Sequence, residues 1–123
     1  MHRSRLAGFI IDCKSDDLDA AAVFWAQALG MKLLERDVHG YERLDSAERD
    51  LTIEVQRVSH ESRVHIDIQT DDIDAEAARL EQLGASRVAK VKTWWVMQAP
   101  TGQRFCVVPA KDLSSVAGVT SWK

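Results

Sequence analysis

The chain repeats itself, and no other feature limits its folds as much. Asp16-Asp17-Leu18-Asp19-Ala20-Ala21-Ala22 and Asp71-Asp72-Ile73-Asp74-Ala75-Glu76-Ala77 open two closely similar segments. Each runs through a helical pattern into a leucine and a glycine, Leu29-Gly30 and Leu83-Gly84. An apolar or alternating run precedes each segment, and short strand-like runs follow it. Such self-similarity signals two copies of one supersecondary unit.

In the first copy, residues 6–13 read as a buried strand, and Asp16 or Asp17 caps a helix by accepting its orphan N–H groups. Leu18, Ala21, Ala22, Trp25 and Leu29 recur at helical steps, and Gly30 stops the run. Residues 31–35, 41–44 and 51–58 are candidate strands, with His39-Gly40 as a turn between the first two. The second copy starts with a clean alternation. Val64, Ile66 and Ile68 point one way, while Arg63, His65, Asp67 and Gln69 point the other. A helix over 72–83 follows, with Ile73, Ala77, Leu80 and Leu83 inward. Strands at 87–91, 93–98 and 103–108 come next, the last after the turn Pro100-Thr101-Gly102. The order is βαβββ twice, with modules at about 6–58 and 62–109 and a tail at 110–123 in which Trp122 suggests docking. The fold class expected is α+β: one domain of two βαβββ modules in a curved mixed sheet, helices on its convex face.

Partners are narrowed by charge. Sixteen basic and 19 acidic side chains give a net charge of −3 without a basic block, which argues against nucleic acid. No apolar stretch approaches the roughly 20 residues of a spanning helix, so no membrane partner is expected. The opening residues do not read as a secretory signal. Cys13 and Cys106 form no disulfide framework, and a reducing cytoplasm is the simplest setting.

Three stretches carry a family resemblance. They are Asp17-Leu18 through Phe24-Trp25 to Leu29-Gly30-Met31-Lys32-Leu33-Leu34, then Val64-His65-Ile66-Asp67-Ile68 with Asp72 to Leu83-Gly84, and finally Trp95-Val96-Met97, Ala99-Pro100-Thr101-Gly102 and Phe105-Cys106-Val107-Val108. Together the chain resembles the glyoxalase / bleomycin-resistance / extradiol-dioxygenase superfamily, also called vicinal oxygen chelate proteins, over roughly residues 6–109. The resemblance implies a metal site built from a His and a Glu of each module. Position by position, Ile10 falls where the first His belongs, Glu54 at the first Glu, His65 at the second His and Cys106 at the second Glu. Glu54, His65 and Cys106 are then the metal candidates, an incomplete set that admits zinc, nickel, manganese or iron without requiring any. Cys106 also reads as a small buried hydrophobe.

Other candidates come from the pattern of the residues. His65 is expected on the face away from the helix, either contacting ligand or moving a proton, or else bonded to a neighbouring strand. The repeat relates Asp12 to Asp67. The two are ligand-contact candidates with one acting as a base, or they pair with Arg43, Arg57 or Arg63. Trp94 and Trp95 face opposite sides of one strand, and Trp95 is a candidate ligand wall whose side the sequence leaves open. His39 and Tyr41 read as a solvated loop or a cover over the cavity mouth, and His2 and His60 as surface positions. The leading expectation is a small-molecule-binding protein that sequesters an apolar or aromatic compound. Its rival is a lyase, isomerase or dioxygenase-like enzyme using Glu54 and His65 with or without a metal, and a third reading is an accessory domain. The resemblance also implies a homodimer.

Overall fold

The computed structural model describes residues 1–37, 40–46 and 50–123. His39, and with it the expected His39-Gly40 turn, lies outside them. Among the described residues are eight strands and two helices: β1 (His2–Lys14), α1 (Leu18–Leu29), β2 (Glu42–Leu44), β3 (Thr52–Val58), β4 (Arg63–Thr70), α2 (Ile73–Gln82), β5 (Ser86–Val91), β6 (Trp94–Gln98), β7 (Arg104–Pro109) and β8 (Thr120–Trp122). Strands β2-β3-β1 lie side by side, as do β4-β7-β6-β5, and β8 is added to β1. The class is α+β, as the repeat requires.

The chain divides into two compact units, residues 8–65 and residues 1–7 with 66–123. In the first, β1 and β3 run parallel and β2 pairs antiparallel with β3. Ile11, Cys13 and Val55 from the strands meet Ala22 and Ala26 of α1 and Leu44 of β2 in a core. β1 and β3 touch so closely at Gly8 that a Cβ there would lie 1.8 Å from the Thr52 carbonyl oxygen. In the second unit β4 and β7 are parallel, β7-β6-β5 is an antiparallel meander, and Ala77, Leu80, Met97 and Val107 form the core.

The repeat is visible in the helix ends. Asp17 accepts from the Ala20 N–H at 3.0 Å, and Asp72 accepts from the Ala75 N–H at the same distance. At the other end the Met31 N–H reaches the Ala26 carbonyl at 2.9 Å, and the Ala85 N–H reaches the Leu80 carbonyl at 3.0 Å. Gly30 adopts the left-handed φ of 67° that this closure requires.

Two expectations change. The strand at 31–35 contracts to a single bridge, Leu33 to Leu44, flanked by bonds from Leu34 N–H to Arg43 and from Asp45 N–H to Lys32. Leu33 and Leu34 are each 40% exposed and Met31 alone of the run's apolar residues packs against the core, so little burial holds a longer ladder. The tail is not loose. β8 pairs His2 with Trp122 and Ser4 with Thr120, which extends β1 back to residue 2.

Candidate functional site

Alternation on β1 and β3 sorts the first unit into two faces. Ile11, Cys13 and Val55 go to the α1 core, so Ile10, Asp12, Glu54 and Gln56 take the opposite side. Register places Ile10 beside Glu54 and Asp12 beside Gln56, with Arg43 of β2 across from Glu54. Three polar side chains therefore share this face with Ile10, although Asp12 is only 2% exposed and Glu54 only 8%. A buried carboxylate is costly unless donors surround it.

Asp12 has those donors. Gln56 Nε2 donates to Oδ1 at 2.8 Å, His65 Nδ1 lies 2.7 Å from Oδ2, and Arg63 Nε stands 3.7 Å from the same oxygen. Because a carboxylate accepts, the imidazole proton sits on Nδ1 and the lone pair of the neutral ring on Nε2. A carboxylate behind one ring nitrogen fixes the ring's tautomer and orientation, the arrangement found behind metal-ligating and proton-transferring imidazoles. Nearby, Cys13 is no rival nucleophile. Burial pushes its thiol up, with the Asp12 charge adding to this and a bond to Trp25 opposing it.

In the second unit Phe105 and Val107 face α2, so Cys106 faces away, and register sets it beside Asp67. Along β4, His65 and Asp67 stand two residues apart on one face of the strand. Candidate ligands for a metal are thus His65 and Glu54 on the first unit's polar face, and Asp67 beside Cys106 on the second unit's. Asp12 behind His65 Nδ1 fits a metal-bound imidazole on the first unit, and a thiolate beside a carboxylate, as at Cys106 and Asp67, suits zinc or iron better than a hard cation.

Trp95 falls elsewhere. It shares its side with Met97, which is fully buried, and its indole N–H donates to Asp74 of α2 at 3.0 Å. Arg87 and Lys90 cover the ring at 4.8 and 5.1 Å. It packs on the helix side of its sheet, where the expected ligand wall would not lie. His2 needs correction as well. Its side chain is 11% exposed and bonds Glu76, fully buried on α2, at 2.8 Å, while Arg79 grips the same carboxylate through two 2.8 Å bonds. A signal existed for this network, because Glu76 interrupts the apolar stripe of Ile73, Ala77 and Leu80 and a carboxylate there demands a buried partner. Gln56 also escaped notice, since nothing local marks a glutamine as a carboxylate clamp.

Among the described residues a hollow opens on each unit. One of about 540 Å³ lies at the carboxyl ends of β1 and β3 among Lys14, Asp16 and Arg57, and one of about 300 Å³ lies among Arg5, Ile66, Arg79 and Trp122. Neither is lined by Asp12 or His65.

The glyoxalase-like domain family matches residues 8–108. No curated protein matches the sequence. Among solved structures, a hypothetical protein from Bacillus halodurans C-125 superposes with a TM-score of 0.67 at 14% identity, over 91% of this chain and 98% of that one. Methylmalonyl-CoA epimerase from Mycobacterium tuberculosis gives 0.64 at 17% identity, over 88% and 89%. The 2,2',3-trihydroxybiphenyl 1,2-dioxygenase of Sphingomonas wittichii strain RW1 gives 0.58 at 19% identity, over 89% of this chain and 41% of the enzyme. At these identities the structures share the fold alone. With the family match over most of its length, the chain belongs to the glyoxalase-like domain family of the vicinal oxygen chelate superfamily.

Proposed function

We propose that this chain binds a small molecule at the polar face of residues 8–65, where the ligand presents an oxygen to His65 and an apolar or aromatic body beside it. The observation that carries the reading is Asp12, 2% exposed and held by His65 and Gln56. Packing alone gains nothing from a buried acid on the side away from the core, so the pair is best explained by what it presents. Ile10, 1% exposed in the position of the family's first histidine, keeps the metal set incomplete and favours binding over catalysis.

One observation supports the enzymatic alternative, a lyase, isomerase or dioxygenase-like reaction. The Asp12 bond leaves Nε2 of His65 as the basic nitrogen, and Glu54 stands on the same face as a second acid–base group. A bound divalent metal would supply Lewis-acid polarisation of a ligand oxygen. In either reading His65 contacts the ligand. The two free cysteines suit a reducing cytoplasm, and a homodimer is the proposed assembly.

Metal analysis of tag-free protein, after dialysis against nickel, zinc, manganese and iron(II) in turn, separates the readings. The binding reading expects no retained metal, and thermal shifts with apolar or aromatic compounds that His65→Ala weakens at least about tenfold, or about 1.4 kcal/mol. About one metal per chain, lost in both His65→Ala and Glu54→Gln, would replace it with the enzymatic one. Ligand shifts indifferent to His65→Ala would remove the site from both.

A further inference from the structure

We propose that the hollow of about 300 Å³ between α2 and β8 is a second small-molecule site, built for a short carboxylate with an apolar body. Its lining lies wholly within the unit of residues 1–7 and 66–123. β1 and β4 contribute Leu6, Ile66 and Ile68, α2 contributes Glu76 and Arg79, and β8 contributes Trp122. Ile68 packs on the core under α2, while Ile66, on the same side of β4, is 43% exposed and Leu6 is 42% exposed. The hollow thus joins two half-open aliphatic side chains to a charged wall, the mixture of apolar surface and a few placed polar groups that holds small ligands.

A count of donors and acceptors fixes the sign of the ligand's charge. Glu76 is fully buried, and its two oxygens offer about four acceptor positions. His2 donates to one at 2.8 Å, Arg79 Nε and Nη2 donate to two more at 2.8 Å each, and the Ser4 hydroxyl also donates. The carboxylate is saturated and has nothing left for an ammonium group. Arg79 is in the opposite position. Its bonds to Glu76 use Nε and one N–H of Nη2, so both N–H groups of Nη1 and the second of Nη2 have no partner among the described residues. The Trp122 ring, itself bonded to Ser4 at 2.9 Å, lies over the guanidinium at 3.8 Å and fixes its plane. An incoming carboxylate therefore meets a preset fork at the Nη1–Nη2 edge and accepts two parallel bonds, while its hydrocarbon body covers Leu6 and Ile66. At about 30 Å³ for each water-sized volume, the hollow admits a ligand of roughly ten heavy atoms. Neither Asp12 nor His65 lines it, so this site is independent of the one proposed on residues 8–65.

Titration of hexanoate into the ¹⁵N-labelled full chain near neutral pH, followed by NMR, tests the site. In the wild type the Trp122 indole N–H, the Arg79 Nε–H and the Ile66 and Ile68 amides shift together and saturate, with a Kd of about 1 mM or tighter for a ligand of this size. Hexylammonium, with the same body and the opposite charge, binds at least about tenfold more weakly. Ile66→Glu places a competing carboxylate in the hollow at a half-exposed position and weakens hexanoate at least about tenfold, with the spectral dispersion of the wild type. Leu6→Glu acts in the same way and serves if the first variant folds poorly. Shifts that do not saturate by about 20 mM, hexylammonium binding as well as hexanoate, affinity indifferent to both variants, or shifts centred on His65 and Gln56 would each overturn the proposal.

Discussion

Asp12 is the residue on which the polar face depends, and it answers to two separate measurements. Asp12→Ala leaves His65 and Gln56 without their acceptor on a buried surface, and should cost about 2–4 kcal/mol by urea denaturation. In the wild type, ¹⁵N shifts of the neutral imidazole should show the proton of His65 on Nδ1, and in Asp12→Asn a loss of that preference. A wild-type ring protonated mainly on Nε2 would break the account of the site. Glu76 is the other buried acid. Burial pushes its carboxyl up, but Arg79, His2 and Ser4 together outweigh this and hold it below the ordinary value. A group lowered in the folded state stabilises above its unfolded range, near pH 4.3, and that contribution is lost as pH falls through the folded value. Glu76→Gln should therefore cost about 3 kcal/mol near pH 7 and shrink the acid slope of a thermal-melt series. Gly8→Ala tests packing directly. With its Cβ 1.8 Å from the Thr52 carbonyl oxygen, β1 and β3 must separate, and soluble folded yield should fall sharply.

Among the elements, the helices were the most legible in the sequence. Asp17, Asp72 and the Leu-Gly stops bound α1 and α2 to within a residue or two, because capping chemistry is local. The clean alternation from Arg63 to Gln69 also read correctly as β4. What escaped was non-local. β8 has three residues, too few to show a period, and its partner lies at the opposite end of the chain. The bond between Asp12 and His65 spans 53 positions, so the sequence could name both residues but not join them. Trp95 and Met97 share parity, yet only the packing of α2 decides which side of β6 is inside. β8 also has an energetic test. The Trp122 ring lies 3.8 Å from the Arg79 guanidinium carbon, and its N–H donates to Ser4 at 2.9 Å. Trp122→Ala should lower Tm by roughly 5–10 °C, the size of a lost aromatic and cation–π contact.

At the level of the whole molecule, the family match and the strand order agree on architecture, while the chemistry rests on a few long-range side-chain meetings. Residues 1–7 belong to the compact unit of residues 66–123, although a whole module separates them in sequence. They supply the partners of Asp71, Glu76 and Trp122. A fragment of residues 66–123 should accordingly give the poorly dispersed NMR spectrum of an unfolded chain. Pairing of His2 with Trp122 has a practical corollary. It puts residues near the two termini on adjacent strands, so a short peptide can tie them into a ring. New ends could then be opened at the exposed Thr101-Gly102 turn, giving a circular permutant with the same sheet. By the same adjacency, a bulky fusion at residue 1 crowds the strand at 120–122, and one at residue 123 crowds the start of β1.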